Sequence, residues 1–120
     1  MSIETRHAER NGIHYVINVV YDTDATPHDA DCYTPEDIKA WENGNWWYVG
    51  VTVTAEGVGE ASLWGIEWKD RTIDDILNDP YMTVTEPDGT TSSPSLLDSL
   101  IDEATDALKA ERDRLNGLPL

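Results

Sequence analysis

Hydrophobic residues follow a period of two in three segments of the first 68 residues of this chain, and a helical period after residue 95. A period of two in β-branched and aromatic residues predicts strands that are buried on one face. Because the strands come early and a long helix comes last, the order predicts an α+β fold with an antiparallel sheet. The most regular alternating segment is 13–21, whose alternate residues are Ile13, Tyr15, Ile17, Val19 and Tyr21.

Two further alternating segments are rich in tryptophan and glycine. Segment 46–55 predicts a strand, and after a glycine-containing turn a strand over 61–68 completes a β-hairpin. The second strand is expected to carry Trp64, Ile66 and Trp68 on one side. The two expected faces of the first strand are Trp47, Val49, Val51 and Val53, and Trp46, Tyr48, Gly50 and Thr52.

Capping residues mark three helices. Thr34 predicts the start of a short helix over 35–41, and Thr72 predicts one or two helical turns over 73–78. The last helix is expected over 95–116, because a glycine and a proline follow it. Its apolar stripe for packing on the sheet is Leu97, Leu100, Ile101, Ala104, Leu108 and Leu115.

These elements predict one domain over residues 1–120, a common size for a chain with one core. The expected fold class is α+β: an antiparallel sheet of three to four strands, with a long C-terminal amphipathic helix and one or two short helices packed on one face. We expect residues 1–12 to be flexible because they are polar, and residues 13–116 to form the folded core. A fourth strand is expected at residues 81–85, where the pattern also fits a loop.

The chain is strongly acidic, with 24 Asp and Glu against 8 Lys and Arg and a net charge of −16. Each half of the chain carries −8, so the acidity is spread over the whole surface. Such a field repels nucleic-acid phosphates and anionic lipid, and it attracts basic protein surfaces. We therefore expect a protein with a basic surface as the partner, no direct nucleic-acid binding and no membrane association. A generally acidic proteome gives the same composition without any such role.

The last predicted helix carries a second, acidic stripe. At 100° per residue, Asp98, Asp102, Asp106 and Asp113 lie within about 80° of one another. Like charges one turn apart destabilise an isolated helix by about 0.2–0.5 kcal/mol per pair. A solvated helix face has the same pattern, and recognition of a basic partner is the functional alternative. We treat the four aspartates as candidate partner-binding residues.

The five tryptophans provide a second candidate contact. We expect Trp46 and Tyr48 to be exposed as a partner-binding aromatic patch, since exposed aromatic residues are common contact hot spots. The residues expected to be buried are Trp47, Trp64 and Ile66. A glycine inside a strand, such as Gly50, predicts that another group approaches the backbone there, and a tryptophan ring is the first candidate.

One loop, residues 22–32, concentrates groups that bind metals: Asp22, Asp24, His28, Asp29, Asp31 and Cys32. The loop does not match a calcium-binding loop, because Pro27 stands where the sharp-turn glycine belongs. A single acidic residue among aromatic ones, Glu67, does not make a catalytic mechanism. We therefore assign no metal ligand, cofactor or catalytic residue, and we expect a protein that is not an enzyme. A divalent-metal-binding protein or enzyme using this loop is an alternative.

The two tryptophan–glycine segments also carry a resemblance to a known group of proteins. Gly44-Asn45-Trp46-Trp47-Tyr48-Val49-Gly50-Val51, followed by Ser62-Leu63-Trp64-Gly65-Ile66-Glu67, resembles small acidic proteins of unassigned function from actinobacterial phages and mobile elements. The resemblance covers residues 34–78. It departs after Glu67, where this chain has Trp68-Lys69 and the group tends to continue with Ser and Asp. The resemblance implies a phage-type accessory protein, and it brings no catalytic residues to this chain.

The leading functional hypothesis is a phage-type protein that binds and inhibits a host protein through its acidic surface. A nucleic-acid-binding target, such as a restriction enzyme, a CRISPR effector or a transcription factor, would make it a DNA mimic. The alternatives are a general protein-interaction module that uses the aromatic patch, and the metal-dependent function of residues 22–32. The start of the chain lacks a secretory signal, which predicts a location in the cytoplasm of the bacterial host. A homodimer through an edge strand or the last helix is left open.

Overall fold

A computed structural model describes residues 2–29, 31–80 and 83–116. The elements are β1 (Ser2–Arg10), β2 (Ile13–Tyr21), α1 (Pro35–Glu42), β3 (Trp47–Ala55), β4 (Gly59–Trp68), α2 (Ile73–Asn78), β5 (Val84–Thr85), β6 (Thr91–Ser92) and α3 (Leu96–Asn116), with a 3-10 turn at Pro27–Asp29. The main sheet is antiparallel and has the order β1-β2-β3-β4. The predicted α+β class, with a four-stranded sheet and a long C-terminal helix, is confirmed.

The N-terminal segment forms part of the sheet. The prediction that residues 1–12 lie outside the folded core is wrong, because residues 2–10 form β1 and pair with β2. Asn11 and Gly12 make the two-residue turn between these strands at φ +53° and +79°, which is the left-handed geometry of a tight hairpin. Arg6 lies opposite the buried Ile17, so a charged residue interrupts the apolar alternation of this edge strand.

The fourth strand of the main sheet is therefore β1 and not Val84–Thr85, the described strand within the predicted segment 81–85. Residues 81 and 82 lie outside the described residues. Val84–Thr85 pairs with Thr91–Ser92 in a separate two-stranded ribbon, so this segment adds nothing to the main sheet. The predicted helices agree closely with α1, α2 and α3.

The core lies between the main sheet and α3, which packs across β3 and β4 and also contacts α2. At Gly59, at the start of β4, a Cβ would lie 2.3 Å from the backbone oxygen of Ala104, so α3 crosses the strand at close range. Leu115 is exposed, in contrast to the prediction that it belongs to the packing stripe of this helix. The buried core residues include Tyr15, Ile17, Val19, Val49, Val51, Val53, Ile76, Leu77, Leu100, Ile101, Ala104 and Leu108.

β4 contains a β-bulge. Leu63 and Ile66 both pair with core-facing valines of β3, while Gly50 is opposite the two residues between them, Trp64 and Gly65. Gly65 adopts φ +73°, a left-handed conformation that glycine takes without a Cβ clash. The extra residue shifts the alternation by one position. Leu63 and Ile66 consequently share the core side, and Trp64 lies on the opposite side of the sheet.

The bulge reverses the prediction for Trp64. The expectation that Trp64 is buried on the same side as Ile66 and Trp68 is wrong, because Trp64 is 50% exposed on the other side. Its ring covers Gly50, where a Cβ would lie 2.1 Å from the ring atom Cε3. The predicted approach of a tryptophan ring to this glycine is thereby confirmed.

Candidate functional site

The acidic face of α3 consists of Asp98, Asp102, Asp106 and Asp113. All four belong to one uninterrupted helix of 21 residues, so the predicted stripe is present on the helix. Successive members of the series from Asp98 to Asp106 are about 6 Å apart along the axis. Asp102, Asp106 and Asp113 are exposed. The structure thus brings together four of the predicted partner-binding residues.

One end of the acidic face is neutralised by the sheet. Arg10, the last residue of β1, donates from Nη2 to Oδ1 of Asp98 at 2.7 Å. Arg10 and Lys109 also line a groove of about 310 Å³ together with Asp102 and Asp106. Within the described part of the chain, no ion pair closer than 4.0 Å includes Asp102, Asp106 or Asp113. These three carboxylates are therefore available to an outside cation.

Most other basic side chains are already paired with neighbouring carboxylates. Exposed pairs of this kind contribute little to stability, but they cancel positive charge on the surface. The Lys69 ammonium, followed by hydrogen bonds from Thr34, holds the pKa of Asp37 below its usual value. The pairs are Arg6 with Glu4 and Asp74, Lys69 with Asp37, Arg71 with Asp79, and Arg114 with Glu111.

The predicted aromatic patch of Trp46 and Tyr48 is not a surface. Trp46 is 1% exposed and Tyr48 is 6% exposed, so the prediction that they form an exposed contact is wrong. Trp46 donates from Nε1 to the backbone oxygen of Asp37 in α1 at 2.9 Å, and it stacks on Tyr33 with 5.5 Å between ring centroids. Trp46 therefore anchors α1 and the preceding loop to the sheet. The strand pattern could not show this, because the cover comes from a separate segment.

Tyr33 and Tyr48 share this buried setting with Glu67. Burial raises the pKa of the Tyr33 hydroxyl well above its usual value, and hydrogen bonds with Glu67 and Tyr48 raise it further. Tyr48 also has a raised pKa, first because of burial. A tyrosine with a raised pKa keeps its proton at neutral pH and acts as a hydrogen-bonding group. Glu67 is thus a hydrogen-bonding partner of Tyr33.

A different set of aromatic rings is exposed. Tyr21 at the end of β2 and Trp47 at the start of β3 are 38% and 41% exposed, so the prediction that Trp47 is buried is wrong. Their ring centroids are 6.2 Å apart, and Trp68 is 5.6 Å from Trp47 and 6.4 Å from Tyr21. These three residues lie on the core side of the sheet.

Tyr21 and Trp47 form one wall of an open cleft of about 640 Å³. Trp41 and Glu42, at the end of α1, form another wall. The Glu42 carboxylate lies 3.0 Å from Nε2 of His28, and the His28 ring meets Trp41 edge-on at 5.9 Å. We call this site the aromatic cleft; its lining residues are Tyr21, Asp22, Thr23, Ala25, Trp41, Glu42, Trp47 and Tyr48.

Asp22 holds the loop beside the aromatic cleft in place. Its Oδ2 accepts from the backbone N–H of Gly65 at 2.8 Å, and its Oδ1 accepts from those of Asp24 and Ala25 at 3.0 and 3.2 Å. The bulge that exposes Trp64 thus also supplies a donor that ties the loop to β4. Because three amide groups already use this carboxylate, Asp22 has a structural role in the segment where the sequence suggested metal ligands.

The sequence missed the aromatic cleft because its walls come from three separate segments. A signal was nevertheless present. Tyr21 is the last and Trp47 the first core-facing residue of its alternating segment, and no predicted helix was placed to cover that end of the sheet. Of the groups proposed for a metal site, no three His, Cys, Asp or Glu side chains come together among the residues that the structure describes. The side chain of Asp29, one of the predicted metal-binding groups, lies outside the described part of the chain.

Among residues 2–29, 31–80 and 83–116, no helix is long and apolar enough to span a membrane. No protein-family model, curated protein or solved structure matches the chain. The geometry leaves two candidate surfaces, the acidic face of α3 and the aromatic cleft.

Proposed function

We propose that this chain is an accessory protein of the phage type that binds a host protein through the acidic face of α3 and inhibits it. The observation that supports the proposal is the set of three exposed carboxylates, Asp102, Asp106 and Asp113, on one side of one helix and outside the ion pairs of the described residues. The target is a protein with a basic surface, and the site of action is the cytoplasm of a bacterial host.

Charge makes a basic surface the favoured partner. With a net charge of −16, encounter with a positive surface is accelerated, and approach to phosphate or anionic lipid is opposed. The acidic face extends over about 22 Å from Asp98 to Asp113, a length in which one DNA strand presents roughly six phosphates. Four carboxylates, less the charges of Arg10 and Lys109 beside them, reproduce about a third of that charge. We therefore propose partial mimicry of a nucleic-acid strand, which competes for a basic site without copying the duplex.

The test compares two variants with the same change in charge. In the first, Asp102, Asp106 and Asp113 are replaced by Asn. In the matched control, three exposed glutamates outside α3, namely Glu36, Glu60 and Glu86, are replaced by Gln. Wild-type protein is immobilised to capture a bacterial partner, and both variants are measured against that partner by calorimetry.

We expect the α3 variant to bind at least ten-fold more weakly than the control variant. Wild-type affinity should fall steeply between about 50 and 200 mM salt, and duplex DNA should displace the protein, because the contact is electrostatic. Equal losses for the two variants would show that only net charge matters. An affinity that is insensitive to salt would refute the proposal.

A second function, a general protein-interaction module, is favoured by the exposure of Tyr21 and Trp47 in the aromatic cleft. It replaces the version of this hypothesis that used Trp46 and Tyr48, which are buried. Under this alternative, Trp47→Ala removes binding while the three α3 substitutions do not. The same captured partner therefore separates the two functions.

A further inference from the structure

We propose that the aromatic cleft binds the guanidinium group of an arginine side chain that projects from the basic partner. This inference rests on the proposed function for the identity of the partner, but it concerns a different surface from the acidic face of α3. An arginine bound in the cleft would fix the position of the partner, which attraction between opposite charges alone does not do.

The walls of the cleft are the kind of surface that binds a flat cation. Three aromatic residues, Tyr21, Trp41 and Trp47, line one open space of about 640 Å³. A cation within about 6 Å of an aromatic ring centroid is attracted by the negative face of the ring, and tryptophan is the strongest partner. Arginine fits better than lysine, because its planar guanidinium stacks on aromatic rings and is less strongly hydrated.

The charges of the cleft complement the same ligand. The Glu42 carboxylate stands at its wall with about half of the side chain exposed, and Asp22, whose oxygens accept from three backbone amides, adds negative charge to the lining. His28 is the basic group closest to Glu42, at 3.0 Å, and it carries charge only when protonated. The neighbouring Lys69 ammonium is held by Asp37 at 2.8 Å. An arriving guanidinium therefore finds the Glu42 carboxylate beside aromatic rings, and it can donate two parallel hydrogen bonds to this group.

The cleft is also preformed. Trp47 is held by ring contacts with Tyr21 and Trp68, and the loop that starts at Asp22 is tied to the backbone of Gly65. Trp41 is supported by the edge of His28. A site whose walls are already in position loses little entropy on binding, which favours a small ligand such as one side chain.

The experiment uses the whole chain and two small probes. N-acetyl-arginine amide is the cationic probe, and N-acetyl-citrulline amide is its uncharged isostere. Each is titrated into the ¹⁵N-labelled protein while the five tryptophan indole N–H resonances are followed. We expect the arginine probe to shift the resonances of Trp41 and Trp47 in a saturable way, and to shift them more than that of Trp64, which lies in a neighbouring groove.

Two matched pairs of variants test the contacts. Glu42→Gln lies at the cleft, and Glu36→Gln makes the same charge change in the first turn of the same helix. Trp41→Leu removes a wall, and Trp64→Leu removes an exposed tryptophan from the neighbouring groove, outside the lining of the cleft. Each cleft variant should weaken the arginine probe by about two- to five-fold, as expected for the loss of roughly 0.5–1 kcal/mol. The two controls should bind like wild type.

The inference is overturned if citrulline shifts the same resonances with equal affinity, or if Glu36→Gln weakens binding as much as Glu42→Gln. Shifts of backbone amide resonances confined to α3, recorded in the same spectra, would also overturn it, since the probe would then bind the acidic face. Failure of the proposed function is recognised separately: the α3 variant with Asn at 102, 106 and 113 would keep its captured partner. The arginine probe should bind the cleft of that variant normally.

Discussion

The ring of Trp64 covers Gly50 so closely that an alanine at position 50 has no room. Its Cβ would lie 2.1 Å from Cε3 and 2.4 Å from Cζ3 of the ring, well inside the 3.4 Å at which ordinary contact begins. Gly50→Ala must therefore push the Trp64 side chain away from the sheet. We expect the free energy of unfolding to fall by about 1–3 kcal/mol, the usual cost of overpacking.

The area that Trp64 buries gives a similar estimate of the free-energy cost of Gly50→Ala. Half of this side chain is exposed, so about 125 Å² is buried against the sheet, which corresponds to roughly 3 kcal/mol at 25 cal/mol per Å². Displacing the ring can cost no more than this. When the ring is absent, the same substitution should instead stabilise the strand by about 0.5–1 kcal/mol, because glycine is unfavourable inside a strand.

A double-mutant cycle of Gly50→Ala and Trp64→Ala measures the coupling. We expect a coupling energy of about 1.5–4 kcal/mol, from urea unfolding followed by far-UV circular dichroism. Gly50→Ala in a Trp47→Ala background is the matched control and should keep its full destabilisation, since Trp47 lies on the other side of the sheet. If the two substitutions at 50 and 64 are simply additive, the contact between Gly50 and the ring does not hold this region together.

Three further predictions follow from the packing and the charges. Gly59→Ala should lower the free energy of unfolding by about 3 kcal/mol or more, because the backbone of α3 at Ala104 cannot rotate away from the new Cβ; thermal unfolding within a degree of wild type would contradict this. Asp37 has a lowered pKa, so its stabilising contribution is present above its usual value of 3.8 and is lost as the pH falls. The difference in Tm between wild type and Asp37→Asn should accordingly be constant near neutral pH and vanish in acid, and a difference that persists at the lowest pH would refute the assignment. Calcium, magnesium, manganese and zinc should produce no thermal shift, because the Asp22 carboxylate is already used by three backbone amides; a saturable shift with any one ion would restore the metal hypothesis.

Local signals in the sequence were sufficient to locate most elements of the fold. Period-two alternation located β2, β3 and β4, and the capping threonines located α1 and α2. Such features depend on hydrogen bonds and side-chain spacing within a few residues, so they can be read without knowledge of the rest of the chain. The acidic face of α3 belongs to the same class, since helical geometry alone places its four aspartates on one side.

The exposure of Trp46, Trp47 and Trp64 could not be predicted from such local signals. Trp46 and Trp47 are neighbours in sequence, yet α1 covers the first while the second is left at the rim of the aromatic cleft. Alternation separates the two faces of a strand, but it does not say which face another segment will cover. The prediction for these two residues was inverted for this reason.

What the sequence by itself determined is the alternation of β2 and β3, the positions of α1, α2 and α3, and the acidic character of the surface. Only the tertiary structure decided that β1 completes the sheet, that the bulge at Gly65 turns Trp64 away from the core, and that Tyr21, Trp41 and Trp47 meet in one cleft. The physical reason is that each of these outcomes depends on contacts between segments far apart in the chain. A strand as polar as β1 is stabilised by pairing with β2, and no pattern within its own nine residues records that partner.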